Sequence, residues 1–177
     1  MKIWSSYIEM EREAFILACE AHKYQKYADN KPYLLHLFDV VNVLLEFYHN
    51  ESRLIAAAWL HDVIEDTPLN YHDVLKATNI EVADIVYDLT DELAKNRKGR
   101  KEKTLPKVAE SDDALTVKLA DWIANVRESH RQAAIHGPGN YLQMYRKDFP
   151  SFEEECADPT PNSPLAPMWN TLKTLLE

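Results

Sequence analysis

The stretch "WLHDVIEDT", residues 59–67, places four ionisable side chains within six consecutive positions of an otherwise apolar run. Charged groups are rarely buried unless they are paired or bind a metal. The surrounding sequence "ESRLIAAAWLHDVIED" predicts a central helix over residues 51–66. Because residues four apart on a helix lie one above the other, we expect His61 to stack with Glu65, and Asp62 with Asp66.

A second His-Asp pair, His72 and Asp73 in "YHDVLKATN", provides an internal comparison. Four positions after the first pair come two acids, Glu65 and Asp66. The same positions after the second pair hold Lys76 and Ala77, in a short polar segment. We therefore interpret the second pair as a solvated surface pair. For the first pair, two interpretations stay open: a hydrogen-bonded core network and a functional site.

Two isolated polar residues in apolar surroundings extend the first pair. They are His36 in "KPYLLHLFDV" and Asp121 in "VKLADWIANV". Each of them alone is more typical of a hydrogen-bonded core residue. Together with His61 and Asp62, they would bring two imidazoles and two carboxylates from three helices to one place, a nitrogen and oxygen set suited to a divalent transition metal. The absence of cysteine from this set favours manganese or iron over structural zinc.

Helical periodicity dominates the rest of the chain, and no long strand-like alternation interrupts it. We therefore predict an all-α fold and a single domain over residues 1–177. The opening segment is expected to form an amphipathic helix with its apolar side formed by Ile8, Phe15, Ile16 and Cys19. A proline-rich stretch, residues 157–167, is expected to be a surface loop before a closing helix.

The composition excludes several classes of function. The 177 residues contain only 3 glycines, which leaves no glycine-rich phosphate-binding loop. A net charge of −9 argues against nucleic acid as a partner. Cys19 and Cys156 form neither a disulfide framework nor a zinc motif. The sequence shows no signal peptide and no long apolar run, so we expect a cytoplasmic protein without a membrane partner.

The order of these motifs resembles that of the HD metal-dependent phosphohydrolases. Within that family, "HDVIEDT" together with "KLADWIANVR" is similar to the RelA/SpoT hydrolase branch, and "HKYQKYADNKPYLLH" is similar to its first motif. The segments "NRKGRKEKTLPK", "YLQMYRKDFPSFEEE" and "PMWNTL" resemble the small stand-alone members, which include the metazoan SpoT-like hydrolases. The resemblance implies an HD-domain helical bundle with a metal site between its core helices.

The resemblance also implies a reaction and its metal. A single Mn²⁺ ion, or another divalent transition metal, would be held by His36, His61, Asp62 and Asp121. Glu65 and Asp66 match the catalytic acidic pair of the branch, which orients water and transfers its proton. The implied reaction removes the 3′-pyrophosphate of ppGpp or pppGpp and yields GDP or GTP with pyrophosphate.

Candidate substrate-binding residues follow from the same resemblance. Of the 20 basic residues, 7 fall between Lys95 and Lys107, and the run is otherwise typical of a solvated loop. The residues that we expect to bind the guanosine polyphosphate are Lys26, Lys103, Lys107, Asn125 and Tyr141. Tyr27 could take the place of Lys26, and Tyr141 could instead be a core residue. Trp122 departs from the branch, which usually has a basic residue after the aspartate.

Other functions remain open from the sequence. One is a different HD nucleotide phosphohydrolase, such as a nucleotidase or an NADPH 2′-phosphatase, using the same site. Another is a catalytically silent module that binds the alarmone, although the intact pair Glu65 and Asp66 argues against it. Release of pyrophosphate would indicate the alarmone hydrolase, and release of orthophosphate the other phosphohydrolases. The sequence leaves the oligomeric state open.

Overall fold

Helices form most of the chain in the computed structural model, which describes residues 2–156 and 163–177. The prediction of an all-α fold is confirmed. The helices are α1 (Lys2–Ala21), α2 (Leu34–Glu46), α3 (Ser52–Leu60), α4 (Val63–Asp66), α5 (Tyr71–Ala77), α6 (Ile80–Leu89), α7 (Arg97–Ala109), α8 (Asp112–His136), α9 (Asn140–Cys156) and α10 (Ala166–Leu176). No helix within the described residues is long and apolar enough to cross a membrane.

The 25-residue helix α8 lies at the centre of the bundle. It packs against α2, α3, α6, α7, α9 and α10. Its residues from Ala114 to Ala124 are all buried, so this segment has no solvated face. Asp121 lies within this enclosed segment of the central helix.

The first helix packs with a different face from the one predicted. Its buried residues are Met10, Ala14 and Ala18. Of the four residues expected to form the apolar side, Ile8, Phe15 and Ile16 are largely exposed. The fourth, Cys19, is half-buried. The small alanine side chains let the backbones of α1 and α3 approach closely, and the bulkier Phe15 lies at the edge of the contact, with its ring 4.9 Å from that of Trp59.

The predicted helix over residues 51–66 is broken at the His-Asp pair. Helix α3 ends at Leu60, and α4 begins at Val63. The backbone of Asp62 between them has φ −104° and ψ 1°, outside the helical region, although the N–H of Asp66 still bonds to the Asp62 carbonyl at 2.9 Å. Because of this turn, the side chains of His61 and Asp62 approach each other, with His61 Nε2 2.9 Å from Asp62 Oδ2. In a continuous helix, adjacent side chains would be rotated about 100° apart.

A small hairpin lies between α1 and α2. Strands β1 (Lys26–Tyr27) and β2 (Lys31–Pro32) pair antiparallel. Asp29 and Asn30 form the turn with positive φ values of 54° and 61°. The carboxylate of Asp29 accepts hydrogen bonds from Gln132 and from His136 at the end of α8, each at 2.7 Å. The hairpin is therefore attached to the central helix at its tip.

A column of aromatic rings joins the last three helices. Trp122 of α8 stacks on Phe152 of α9, with ring centres 4.4 Å apart, and Phe152 stacks on Trp169 of α10 at 5.1 Å. All three side chains are buried. The predicted proline-rich loop ends earlier than residue 167, because residues 163–165 form a turn and Ala166 and Pro167 already belong to α10. Residues 157–162 of that loop lie outside the described residues.

Candidate metal centre

Four side chains from three parts of the bundle converge on one point. His36 of α2 and His61 at the end of α3 direct their Nε2 atoms toward each other at 3.3 Å. Asp62 Oδ2 lies 2.9 Å from the Nε2 of His61, and Asp121 Oδ1 lies 3.4 Å from that of His36. Both imidazoles are buried, with 2% of each residue exposed. The structure thus brings together the four residues that the sequence indicated as metal ligands.

The cluster has the chemistry of a metal site. Two imidazole nitrogens bound to one ion at about 2.1 Å, at roughly right angles, lie about 3 Å apart, which is close to the separation found here. The Nδ1 of His61 lies 2.9 Å from the Ala58 carbonyl and donates to it, so the Nε2 lone pair is free to face an ion. His36, His61 and Asp62 offer ligand atoms that all lie within 4.8 Å of one another.

The electrostatics of the cluster favour a positive charge at its centre. Burial by itself lowers the pKa of the His61 imidazole, but the carboxylates of Asp62 and Asp121 outweigh it and raise the pKa to about 9. Burial also opposes ionisation of Asp121, yet the Lys118 ammonium and the two imidazoles hold the pKa of its carboxyl well below the usual range. A divalent cation provides this positive charge more fully than a proton does.

Hydrogen bonds from surrounding residues orient the carboxylates. The hydroxyl of Tyr33 donates to Oδ2 of Asp62. The side-chain Nδ2 of Asn125 donates to Oδ1 of Asp121 at 2.5 Å. The hydroxyl of Tyr27 donates to the side-chain Oδ1 of Asn125 at 2.7 Å. Such supporting bonds fix the geometry of a metal site. Tyr27, rather than the exposed Lys26, is therefore the hairpin residue that faces the centre.

A cavity of about 200 Å³ opens beside the four converging residues. Its wall includes Glu65 and Asn125, and its basic residues come from two helices, α7 and α8: Arg97, Arg100, Lys101 and Lys118. The same wall carries four carboxylates, so its charges are balanced, in a protein whose net charge is −9: Asp62, Glu65, Asp91 and Asp121. A divalent ion held at the cluster would make the site positive, and the cavity could then accept an anion beside it.

Lys101 is the cavity lysine whose pKa is lowered. Desolvation and the neighbouring Lys118 ammonium lower its pKa to about 8, against the attraction of Asp91. Asp91 lies 3.5 Å from Lys101 and 3.2 Å from Arg100, so one carboxylate is shared by two cations. An anion that enters the cavity would supply negative charge to this wall.

Glu65 and Asp66 are consecutive residues of α4 that make different contacts, and only Glu65 is among the residues that line the cavity. Glu65 lines the cavity, and its Oε2 accepts the backbone N–H of Asp91 at 3.2 Å. Burial, followed by the charges of Asp91 and Asp62, raises the pKa of Glu65. Asp66 accepts a hydrogen bond from Gln25 Nε2 at 2.7 Å.

The structure brings only one of the predicted substrate-binding residues, Asn125, into the cavity. Lys103 donates to the Leu93 carbonyl at 2.9 Å, and Lys107 bonds to Glu92 at 2.8 Å, so both point away from the cavity. Lys26 and Tyr141 are exposed and are not among the residues that line it. The basic segment is a helix rather than a loop, and the residues of its inner face, Arg97, Arg100 and Lys101, line the cavity instead.

The sequence did contain a signal for that inner face. On α7, Arg97 and Lys101 are four apart, and they continue into the buried residues Leu105 and Val108. This is helical spacing, and it marks the side that faces the protein.

The fold and the site together define a metal-binding domain of known type. The family model described as "HD domain" matches residues 14–137, and the chain belongs to the HD domain family. Among its relatives is the guanosine-3′,5′-bis(diphosphate) 3′-pyrophosphohydrolase MESH1 of Drosophila melanogaster, which is 32% identical over 82% of this chain and 82% of its own length.

Other comparisons agree on the fold. The bifunctional (p)ppGpp synthase/hydrolase SpoT of Escherichia coli K12 is 31% identical over 68% of this chain, which corresponds to 18% of SpoT. A solved structure of a metazoan SpoT orthologue that hydrolyses ppGpp superposes with a TM-score of 0.73 and 25% identity, covering 93% of this chain and 94% of that one. A protein from Listeria monocytogenes shares the fold at 22% identity, with a TM-score of 0.66 over 80% of this chain and 96% of that one.

Proposed function

We propose that this protein is a divalent-metal-dependent hydrolase that removes the 3′-pyrophosphate of ppGpp or pppGpp, giving GDP or GTP and pyrophosphate. The observation that carries the proposal is the cluster of two histidines and Asp62, with Asp121 3.4 Å from His36, beside a cavity whose wall includes two arginines and two lysines. The activity named for MESH1, and its coverage of most of both chains, supports this choice of substrate.

The four clustered residues would hold a single ion, and we propose Mn²⁺ because the donors are imidazole nitrogens and carboxylate oxygens without sulfur. When bound, such an ion supplies Lewis-acid activation of a phosphate oxygen and of water. Tyr33 and Asn125 hold the two carboxylates in place through their hydrogen bonds. His61 is held by its bond to the Ala58 carbonyl.

Glu65 and Asp66 carry the proton in this proposal. Water forms a bond to the phosphorus attached to the 3′-oxygen, the bond from that phosphorus to the 3′-oxygen breaks, and the proton taken from water reaches the 3′-oxygen. Glu65 is suited to hold this proton because it lines the cavity, and because desolvation and the carboxylates of Asp91 and Asp62 raise its pKa.

The basic wall of the cavity is assigned to the pyrophosphate group. We assign the contacts to Arg97, Arg100 and Lys101, because these side chains line the cavity while Lys103 and Lys107 point away from it. Asn125 remains the candidate for a contact to the nucleoside. The indole of Trp122 also lines the cavity, so its wall is aromatic where the related hydrolases usually carry a basic residue.

Product analysis tests the proposal. Purified protein loaded with Mn²⁺ is incubated with ppGpp, and the products are separated by ion-exchange chromatography. We expect GDP and pyrophosphate in equal amounts. Orthophosphate from ppGpp, or from NADPH and simple nucleotides in the same panel, would instead indicate another HD phosphohydrolase. Binding of ppGpp without any product would indicate a silent binding module.

The metal assignment has a matched control in the second His-Asp pair. We expect His36→Ala and Asp62→Ala to lose both bound metal and activity, because each removes a ligand. His72→Ala, at an exposed position, should retain both. Elemental analysis of the purified variants makes the comparison, and full metal occupancy in His36→Ala would rule out this ligand set.

A further inference from the structure

The side chain of Gln25 connects a buried histidine to Asp66. Its Oε1 lies 2.6 Å from Nδ1 of His22, and its Nε2 lies 2.7 Å from Oδ2 of Asp66. His22 is buried, with 3% of the residue exposed. Gln25 lies between α1 and α4 and has no role in the reaction as proposed so far.

The chemistry of the three groups fixes the direction of the two hydrogen bonds. An amide oxygen can only accept, so Nδ1 of His22 carries the proton and donates it. The amide nitrogen of Gln25 is then the group that faces Asp66, and it donates to the carboxylate. The opposite orientation of the amide would place two acceptor oxygens 2.7 Å apart. His22 therefore donates a hydrogen bond to Gln25, and Gln25 donates one to the carboxylate of Asp66.

The backbone around Gln25 is also fixed. Its N–H bonds to the His22 carbonyl at 3.0 Å, and its own carbonyl accepts the N–H of Tyr33 at 3.0 Å. The ring of Tyr33 packs 5.0 Å from that of His22, and its hydroxyl bonds to Asp62. The same local structure therefore supports one metal-binding carboxylate and Asp66.

We infer that Gln25, oriented by His22, is a positioning residue that holds Asp66 in place as a proton acceptor during hydrolysis. Among the described residues none donates a hydrogen bond to the other carboxylate oxygen, Oδ1. With Oδ2 fixed, that oxygen has a defined direction and can receive a proton from water. This inference rests on the proposed function, and it adds two residues, His22 and Gln25, that act through Asp66 rather than on the substrate.

The test uses Gln25→Met, which retains the length of the side chain and removes the donor. We expect kcat for pyrophosphate release from ppGpp to fall by about tenfold, which corresponds to the loss of one well-placed hydrogen bond. KM and bound Mn²⁺ should stay at the wild-type level, because Gln25 contacts neither the cavity nor the metal ligands directly. Gln143→Met, at an exposed position on α9, is the matched control and should leave kcat unchanged.

A double-mutant cycle distinguishes positioning from a general structural effect. If Gln25 acts through Asp66, Gln25→Met should lower kcat in the wild type and have no further effect in Asp66→Ala. His22→Phe, which keeps a ring but removes the Nδ1 donor, should lower kcat in the same way. An equal loss in both backgrounds, an unchanged kcat in Gln25→Met, or a loss of metal would overturn the inference.

Failure of the proposed function gives a different result. In that case the wild-type protein releases no pyrophosphate from ppGpp, whatever residue is changed. The same cycle is then measured on the phosphate product that the protein does release. Circular dichroism melting of each variant shows whether the fold is retained, and His22→Phe provides the answer if Gln25→Met does not fold.

Discussion

Glu65 is a residue whose place in the site works against the stability of the fold. Burial, together with the nearby carboxylates of Asp91 and Asp62, raises its pKa. A carboxyl group with a raised folded-state pKa contributes stability at low pH and loses that contribution as the pH rises through the raised value. Groups that are tuned for proton transfer commonly carry such a cost.

We therefore expect Glu65→Gln to reduce turnover without reducing stability. The rate should fall on the order of 10²-fold or more, because the neutral amide cannot accept a proton. The melting temperature of the variant relative to wild type should increase as the pH rises through the raised pKa of the wild-type Glu65 carboxyl. Turnover assays and thermal melts at several pH values check both parts.

A contrary result is specific. If Glu65→Gln loses bound metal, Glu65 is a ligand rather than a proton carrier. If turnover stays near the wild-type rate, the residue has a structural role only. If the difference in melting temperature between Glu65→Gln and wild type is the same at all pH values, ionisation of the Glu65 carboxyl does not destabilise the fold.

The identity of the clustered residues was accessible from the sequence because ionisable side chains in apolar runs are rare. His36 and Asp121 each stood out in this way. The residues around them were less accessible. Tyr27 and Gln25 lie in a polar segment where neither hydrophobic pattern nor charge distinguishes them, and their roles depend on hydrogen bonds across 98 and 41 positions of the chain.

At the scale of the element, helix α7 has two basic faces with different surroundings. Lys101 lies in the cavity wall with 14% of its side chain exposed. Lys103, two positions further on, bonds to the Leu93 carbonyl on the outside of the helix. The two residues are of the same type and on the same helix, so they form a matched pair.

We expect Lys101→Met to raise the KM for ppGpp by about tenfold or more, since the loss of one charge-assisted contact in a partly desolvated site is worth about 1.5–3 kcal/mol. Lys103→Met should change KM by less than about twofold, because an exposed charge is screened by salt. Steady-state kinetics at low and moderate salt compare the two. An equal effect of both changes would assign the phosphate to the outer face.

The aromatic column fixes helices α9 and α10 to the centre of the bundle. We expect Trp122→Ala to lower the free energy of unfolding by about 3–5 kcal/mol, because it removes a large buried ring that stacks on Phe152. Trp59→Ala, at a half-buried position on α3, should cost less. Denaturant titration followed by circular dichroism measures both, and equal losses would indicate that the column contributes little.

The sequence predicted the boundaries and packing faces of the helices less well than it predicted which residues cluster at the site. Hydrophobic periodicity placed the long helices, yet it could not show that the backbone turns at Asp62, because that turn depends on tertiary contacts such as the bond from Tyr33. It also favoured the bulky face of α1 over the face with small residues. The gain from close packing of Ala14 and Ala18 against α3 cannot be read from hydrophobicity alone.

At the scale of the whole molecule, the metal site joins α2, the α3–α4 turn and α8, which come from distant parts of the chain. An ion bound there stabilises the folded state by mass action, by about 2.7 kcal/mol at a free concentration one hundred times Kd. For a domain of this size, that energy corresponds to a shift of roughly 5–10 °C in the melting temperature.

We therefore expect EDTA to lower the melting temperature of the wild-type protein by roughly 5–10 °C. His36→Ala should melt at the same temperature with and without EDTA, because it lacks a ligand. Differential scanning calorimetry of both proteins makes the measurement. A wild-type melting temperature that does not respond to EDTA would contradict a structural contribution from the ion.

The position of Trp122 also gives the protein an optical property. Its indole lines the cavity beside the proposed metal site, while its other face rests on Phe152. An indole so placed emits light from the edge of the site, and a paramagnetic ion such as Mn²⁺ quenches nearby fluorescence more strongly than diamagnetic Mg²⁺ does. We therefore expect Mn²⁺ to quench part of the tryptophan fluorescence of the protein, in which Trp122 is one of 4 tryptophans.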